Sequence, residues 1–267
     1  MAGMSEPLTA IVLTYNEAAH IVPCLRTVQW ADDLLVIDSG SDDDTAELAA
    51  AHGARVLPRP FTTWAEQRNY ALDQATTDWV LFVDADERVT LDLAREIQAA
   101  LAEAQDTVHV GYWIPRQNVI LGRWVRHAGW YPDFQLRLFR RSCGRYDPAR
   151  PVHELVQLSG EAGKLTPLLV HLNYSSWGQF WAKQRRYARF EAERLKGAGI
   201  RPKPHSLILQ PIRELRRRYW ELRGHREGLL GLQLSLALSW STFVTYVHLW
   251  QLHRRGDPAA DSEAPTG

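Results

Sequence analysis

Short apolar runs alternate with helix-like patterns over the first hundred residues of the chain. TAIVLTY (9–15), LLVIDSG (34–40), ARVLP (54–58) and WVLFVD (79–84) have the length and apolar character of buried strands. Helical patterns lie between and after them, at about 17–29, 41–53, 62–75 and 90–104. Near-continuous apolar strands separated by helices predict an α/β fold, with a mainly parallel sheet covered by helices on both faces.

The pattern changes after residue 107. Residues 108–141 are rich in aromatic residues and arginines, and within them FQLRLF alternates as a half-exposed strand does. A further strand is predicted over 165–174, followed by one long basic helix over 175–199. The chain is then strongly basic over 211–227, and residues 228–252 contain no Asp, Glu, Lys or Arg.

This uncharged run is long enough to cross a bilayer, for which about 20 apolar residues are needed. Its serines and threonines, with Gln233 and His248, weaken a simple span. An interfacial or re-entrant helical segment flanked by arginines fits better, and a buried core or dimer helix is the alternative. We therefore divide the chain into an α/β domain (1–200), a basic and apolar helical extension that associates with a membrane (201–255), and a disordered tail (256–267).

Composition narrows the class of protein. With 45% hydrophobic and 23% charged residues, the chain is neither disordered nor fibrous. Two cysteines exclude a disulfide scaffold and favour a reducing compartment, and no signal peptide is indicated, so a cytoplasmic protein is expected.

The net charge of zero hides an asymmetry. Residues 1–110 carry 19 acidic and 6 basic side chains, whereas residues 181–227 carry 14 basic and 5 acidic ones. The basic part is expected to face phosphates. Because no aromatic-basic recognition motif accompanies it, an anionic membrane surface is favoured over nucleic acid.

Three of the predicted strands deliver polar residues at their carboxyl ends: Tyr15-Asn16-Glu17, Asp38-Ser39-Gly40 and Asp84-Ala85-Asp86. Ligands of parallel α/β sheets bind outside this edge. On an extended backbone Asp84 and Asp86 would point to the same side, and their hard oxygens suit Mg²⁺ or Mn²⁺. A solvated acidic loop is the alternative, and Glu87 is expected to be a solvated neighbour.

Four segments also resemble a known family. IVLTYNEAAHI, VIDSGSDDDT, AEQRNYAL and FVDADE occur in the order and spacing of the family-2 glycosyltransferases, over residues 8–105. WYPDFQLRLFRR, PVHE and RGHREGLLGLQLSLA resemble the lipopolysaccharide-core β-1,4-glucosyltransferase subgroup. The resemblance implies a GT-A fold, Rossmann-like and mainly parallel, which here precedes the C-terminal helical extension.

The same resemblance implies roles for individual residues. Tyr15, Asn16 and Glu17 would surround the uracil and ribose of a UDP-sugar, Asp38 would accept a hydrogen bond from the base, and Arg68 and Asn69 would face the diphosphate. Asp84 would contact the ribose or metal-bound water, Asp86 would bind the metal, and Arg137 would bind diphosphate or acceptor phosphates. The general base that an inverting transfer needs would be Glu154 of PVHE, with Asp133 of WYPD as the alternative.

The expected function is a metal-dependent, inverting transfer of a hexose, with glucose favoured, from a UDP-sugar to a cell-envelope glycan or glycolipid such as lipopolysaccharide core. The enzyme would be peripheral on the inner face of the cytoplasmic membrane. The alternatives are a transferase that uses another nucleotide sugar for polysaccharide or lipid-linked glycan synthesis, and a non-catalytic membrane scaffold that binds nucleotide sugars.

Overall fold

The structure is a computed structural model, and it describes residues 5–148 and 156–254. These residues form two compact units. The first comprises the described parts of Met1–Asn118 and Pro132–Asn173, and the second those of Val119–Tyr131 and Tyr174–Gly267. The second unit thus begins earlier than the predicted extension and includes a segment from the middle of the chain.

The first hundred residues alternate between strands and helices as predicted. They form β1 (Leu8–Thr14), α1 (Ala18–Arg26), β2 (Asp33–Asp38), α2 (Thr45–Ala51), β3 (Arg55–Pro58), α3 (Trp64–Gln74), β4 (Trp79–Asp84), β5 (Glu87–Val89) and α4 (Leu91–Ala102). Thr63 and Thr90 cap α3 and α4, since each hydroxyl accepts a hydrogen bond from a backbone N–H of the first turn.

The middle of the chain contains more strands than its sequence pattern predicts. They are β6 (His109–Ile120), β7 (Arg123–Trp124), β8 (Phe134–Arg140), β9 (Gly144–Tyr146), β10 (Val156–Leu158), β11 (Glu161–Lys164) and β12 (Leu169–Tyr174). Three long helices follow, α5 (Trp177–Gly197), α6 (Ser206–Arg216) and α7 (Gly228–Arg254). A π-helical turn (Arg217–Glu221) and a 3₁₀ turn (Gly224–Glu227) join the last two.

The main sheet has the strand order β3-β2-β1-β4-β8-β6-β12-β5. Its first four strands are parallel, which confirms that part of the prediction. β8 is antiparallel to both β4 and β6, so the sheet as a whole is mixed.

The central parallel strands β1 and β4 and most of β2 are buried on both faces, whereas the edge strand β3 is only partly buried. Successive residues of β4 alternate between two hydrophobic clusters: Leu81 and Val83 pack with α1 and α4, whereas Val80 and Phe82 pack with α3. This two-sided burial is the reason that the strands are almost continuously apolar.

The strand β8 lies between β4 and β6, away from the sheet edge. The prediction of a half-exposed strand here was wrong, because alternation alone does not show where a strand lies in its sheet. Arg137 of β8 is 5% exposed as a result, and it must find its partners inside the protein.

The second unit has its own core. Ser176 caps α5, and Phe180 of that helix packs with Ile120, Val125 and Leu234. By length and composition, residues Gly224–Arg254 could cross a membrane, and 44% of their most apolar stretch is buried within the protein.

Candidate active site

The ends of β1, β2 and β4 lie side by side at the carboxyl edge of the parallel strands. The register places Thr14 of β1 level with Asp38 of β2, and Leu13 level with Asp84 of β4. The polar groups that follow these strands therefore converge, as the strand pattern predicts.

The loop after β1 is tied to the loop after β2. Asn16 adopts a left-handed conformation with φ of 54°. Its N–H donates to the Ser41 hydroxyl over 2.9 Å, and its Oδ1 accepts from the Asp42 N–H over 2.8 Å. The Glu17 N–H donates to the Thr45 hydroxyl over 2.8 Å. Tyr15, between these anchors and β1, is 56% exposed and presents its ring to solvent.

Asp38 organises the second loop. Its Oδ1 accepts hydrogen bonds from the hydroxyls of Thr14 (3.1 Å) and Ser41 (2.6 Å). Its Oδ2 accepts from the N–H groups of Gly40 (3.0 Å) and Ser41 (2.9 Å), and Gly40 has the positive φ of 88° that this turn requires. The predicted hydrogen bond to a base has to share or replace one of these four.

Asp84 and Glu87 share one buried arginine. Arg137 donates to both Asp84 carboxylate oxygens, with Nη1 to Oδ1 at 3.3 Å, and its Nη2 donates to Glu87 Oε1 over 2.9 Å. Glu87 Oε2 accepts from the Asp84 N–H over 2.9 Å, which closes the turn after β4. Glu87 is fully buried, so the expectation that it is a solvated neighbour was wrong.

The protein shifts the pKa values of Asp84 and Glu87 in opposite directions. Burial raises the pKa of Asp84, but the charges of Arg137, Arg68 and Arg116 outweigh it and hold that pKa well below its usual range. Burial raises the pKa of Glu87 above its usual range, and repulsion from Asp84 adds to this effect. Asp84 is therefore the more firmly ionised member of the pair.

Asp86 points away from this pair and towards β12, because the backbone turns after Asp84. Its Oδ2 lies 3.5 Å from Nε2 of His171. Asp84 and Asp86 therefore do not form the two-carboxylate face that an extended backbone would give.

The tautomer of His171 follows from its other neighbours. Asn118 donates its amide N–H to Asp133 over 3.0 Å, so its Oδ1 faces His171 and accepts from Nδ1 over 2.8 Å. In the neutral imidazole this leaves the Nε2 lone pair directed towards the Asp86 carboxylate. Two electron-pair donors that face each other are a suitable pair of ligands for a cation.

Further metal ligands from the protein do not join this pair: no group of three His, Cys, Asp or Glu side chains in the described part of the chain could hold a metal. Mg²⁺ and Mn²⁺ are commonly held by one or two side chains together with water and substrate phosphates. The donors present are therefore compatible with a metal that arrives with a nucleotide diphosphate.

Both carboxylate oxygens of Asp133 accept hydrogen bonds from neighbouring side chains. Its Oδ2 accepts from Arg116 Nε (2.8 Å) and Asn118, and its Oδ1 accepts from Gln135 Nε2 (2.7 Å). Burial raises the pKa of Asp133, but Arg116 and these hydrogen bonds lower it below its usual range. This arrangement disfavours Asp133 as a proton acceptor, and Glu154 lies outside the described residues.

Arg68 and Asn69, the two residues of α3 that were predicted to face the diphosphate, both contact Tyr146. Arg68 lies over the Tyr146 ring, with its guanidinium carbon 5.2 Å from the ring centroid. Asn69 forms two hydrogen bonds with the Tyr146 backbone, one to the carbonyl (2.8 Å) and one from the N–H (3.0 Å). Asn69 thus anchors α3 to β9, whereas the charge of Arg68 acts on Asp84.

Sequence reasoning missed Arg116, Asn118 and His171, and it placed Glu87 in solvent although that residue is buried. Each is a polar residue within an apolar or strand-like segment. This signal is visible in the sequence, but the sequence does not show which partner each residue has. All lie in the first unit, with Glu87, Asn118 and His171 buried and Arg116 half-buried.

A comparison with family models identifies the family. The model of glycosyl transferase family 2 matches residues 9–151, more than half of the chain. The chain belongs to this family. It is a glycosyltransferase of GT-A fold, which confirms the resemblance, the fold class and the prediction of an enzyme.

Curated relatives extend the similarity over nearly the whole chain. The lipopolysaccharide core biosynthesis glycosyltransferase LpsC of Rhizobium meliloti is 29% identical, over 92% of this chain and 93% of its own length. An uncharacterized glycosyltransferase of Rickettsia bellii is 24% identical, over 97% of this chain and 92% of its own.

Two solved structures are also similar to this chain. S. aureus TarS in complex with UDP is 15% identical with a TM-score of 0.46, over 94% of this chain and 92% of its own. Glucosyl-3-phosphoglycerate synthase of Mycobacterium tuberculosis, in complex with Mn²⁺, UDP and glucosyl-3-phosphoglycerate, is 30% identical with a TM-score of 0.28. That match covers 31% of this chain and 34% of the synthase.

Proposed function

We propose that this enzyme transfers a hexose, with glucose the first candidate, from a UDP-sugar to a cell-envelope acceptor such as lipopolysaccharide core, with inversion at the anomeric carbon. The observation that carries the proposal is the approach of Asp86 to His171, 3.5 Å apart at the edge where β1, β2 and β4 end. The similarity to LpsC over 92% of the chain supports the class of acceptor.

The nucleotide would lie across the ends of β1 and β2. Tyr15 offers an exposed ring for stacking against uracil, and Asn16 and Glu17 follow it on the same loop. Asp38 would accept a hydrogen bond from the base in exchange for one of its loop contacts. Arg68 would bind the diphosphate as a cation at the site's rim.

Arg137 has a different role in this proposal. Because it is buried and paired with Asp84 and Glu87, it would hold Asp84 in position for the ribose and would not touch the phosphates itself. Asn69 would likewise act through the Tyr146 backbone, by fixing the end of β9 against α3.

Asp86 and His171 would hold Mg²⁺ or Mn²⁺. When bound, the metal offsets the negative charge that develops on the departing UDP. Asn118 would fix the orientation of the imidazole ring, and Asp133 would hold Asn118 in place.

Glu154 is proposed as the general base that takes the proton of the acceptor hydroxyl. The alternative, Asp133, is already engaged by Arg116, Asn118 and Gln135, and its pKa is lowered. The enzyme is proposed to work in the cytoplasm, peripheral on the inner face of the cytoplasmic membrane, where lipid-linked acceptors are accessible.

A thermal-shift screen with Mn²⁺ and UDP-glucose, UDP-galactose and UDP-N-acetylglucosamine tests the donor. A ligand at about 100 times its Kd stabilises the folded protein by roughly 2.7 kcal/mol. We expect UDP-glucose to give the largest shift. Asp86→Asn and His171→Ala should each remove the Mn²⁺ dependence, whereas the exposed Asp92→Asn should leave it unchanged.

Failure of all three UDP-sugars to shift the transition would exclude the proposed donor class. A shift by a sugar nucleotide with another base would instead favour the alternative, a transferase for polysaccharide or lipid-linked glycan synthesis. Retention of full Mn²⁺ dependence in both variants would show that Asp86 and His171 are not the metal ligands.

A further inference from the structure

The last long helix, α7, has one packed side and one open side. Leu229, Leu236 and Trp240 are 70%, 49% and 57% exposed, and their spacing of seven and four residues places them on one face. The other side is buried in the second unit, through Leu230, Leu234, Ser235, Ala237, Thr245 and Leu249. The first half of this helix, which is about 40 Å long, thus carries an apolar stripe that the other described residues leave largely exposed.

Arginines border this stripe. A groove of about 470 Å³ between α5 and α7 is lined by Trp240 and Trp181 together with Arg185 and Arg189. Both arginines are exposed, neither forms an ion pair with a described carboxylate, and the groove lining includes no Asp or Glu. Indole rings and arginines beside an apolar stripe are the groups that proteins place at the boundary between lipid headgroups and acyl chains.

We propose that this surface docks on an anionic lipid bilayer, with α7 lying in the plane of the interface. The α7 face, which we define as Leu229, Leu236, Trp240, Arg185 and Arg189, would bury its apolar side chains below the headgroups. The two arginines would bind lipid phosphates. This inference rests on the proposed function only in that a lipid-linked acceptor gives the docking a purpose.

Lying in the interface fits the contacts of α7 better than crossing the bilayer does. The Ser239 hydroxyl donates to the Pro211 carbonyl of α6 over 2.7 Å, and the Ser241 hydroxyl donates to Gln184 of α5 over 3.1 Å. A crossing α7 would either break these contacts or carry the arginines of α5 and α6 into hydrocarbon. Each charge placed there costs several kcal/mol.

A second copy of the chain is a less suitable partner for the α7 face. In a symmetric dimer the same patch meets itself, so Arg185 and Arg189 of both copies would enter one interface. Like charges brought together in this way oppose association, whereas anionic lipid neutralises them.

Co-sedimentation of the full chain with vesicles tests the inference. We expect binding to phosphatidylcholine vesicles that contain phosphatidylglycerol, weakening as salt is added, and little binding to pure phosphatidylcholine. Arg185→Glu with Arg189→Glu should weaken binding by about thirtyfold or more. Leu236→Gln with Trp240→Gln should weaken it by roughly tenfold or more.

Matched controls come from the first unit. Leu91→Gln replaces an aliphatic side chain that is 78% exposed, and Arg95→Glu reverses a charge whose side chain is 76% exposed. Both should bind vesicles as the parent does. Hydrolysis of the soluble UDP-sugar should remain unchanged in all four variants, so failure of the donor proposal and failure of the docking proposal give separate results.

Three outcomes would overturn the inference. Equal binding of parent and double variants would show that the α7 face is not the contact. Resistance of the membrane-bound protein to alkaline carbonate extraction would show that α7 crosses the bilayer. A dimer that dissociates on Leu236→Gln with Trp240→Gln, without vesicle binding by the parent, would identify a second copy as the partner.

Discussion

At the scale of single residues, the candidate site depends on Arg137. It is the buried cation between Asp84 and Glu87, and the free energy of such a network depends on all its members being present. Removing one partner leaves the others buried and uncompensated, which typically costs about 3 to 5 kcal/mol.

We therefore expect Arg137→Met to lower the free energy of unfolding by about 3 to 5 kcal/mol and to abolish UDP-sugar binding. Denaturant unfolding and a thermal shift with UDP-glucose measure the two effects. The exposed Arg95→Met should change stability by less than about 0.5 kcal/mol. If Arg137→Met were as stable as the control variant, the ion pairs of Arg137 would not stabilise the folded protein.

The acids themselves were predictable at this scale, but their roles were not. Asp84, Asp86 and Asp38 were identified because they follow apolar strands, which is a local pattern. The pairing of Glu87 with Arg137 joins residues 50 positions apart, and that of His171 with Asn118 joins residues 53 positions apart. No local pattern encodes such contacts.

At the scale of elements, Glu227 joins two pieces of the second unit. Its Oε1 accepts hydrogen bonds from the N–H groups of Arg126 (2.9 Å) and His127 (3.0 Å) and from His127 Nδ1 (2.7 Å). Burial raises the pKa of Glu227, but these hydrogen bonds lower it below its ordinary value near 4.5. The carboxylate thus stabilises the 3₁₀ turn before α7 against the segment that follows β7.

The pH dependence follows from the direction of this shift. Because the pKa is lower in the folded state, the stabilisation is fully present above about pH 4.5 and is lost as the pH falls through the folded value. Glu227→Gln should cost about 1 kcal/mol at pH 7, the difference between a charged and a neutral hydrogen bond. Its cost should shrink in acid.

Chemical denaturation at pH 7 and in acid, on parent and Glu227→Gln, checks this expectation. The exposed Glu193→Gln serves as the control and should show no pH-dependent difference. A Glu227→Gln cost that is the same at both pH values would mean that its ionisation does not matter to folding.

Helices were the elements best predicted from sequence. Thr63, Thr90 and Ser176 cap α3, α4 and α5, and capping is a property of a few neighbouring residues. Strand β8 was predicted as a strand, but it was expected to be half-exposed and instead lies inside the sheet. Its neighbours, β4 and β6, are chosen by pairing across the sheet and not by its own alternation.

At the scale of the whole molecule, all the described residues that are proposed to bind the UDP-sugar donor lie in the first unit. We expect Mn²⁺ with UDP to slow amide hydrogen exchange most in the loops after β1, β2 and β4, since a ligand suppresses local opening where it binds. Peptide-level exchange mass spectrometry measures this, with Asp86→Asn as the control. Protection concentrated outside these loops would contradict the placement of the nucleotide.

The charge asymmetry also belongs to this scale. The acidic first part of the sequence contains the three strand ends of the candidate site, and the basic run 181–227 contributes the arginines that border α7. The sequence predicted the sign of the net charge of each region. The side of α5 and α7 on which arginines and apolar residues meet became visible only when the helices were packed together.

By itself the sequence determined the alternation of strands and helices over the first hundred residues, the two-sided burial of the central strands and the acids at the strand ends, because each depends on residues close together in the chain. Only the tertiary structure decided which of these acids pairs with an arginine and which faces a histidine. It inserted β8 beside β4, so that Arg137 neutralises Asp84, and it brought His171 of β12 to Asp86. Burial then made those pairings obligatory, because a charge removed from water must find a partner within the protein.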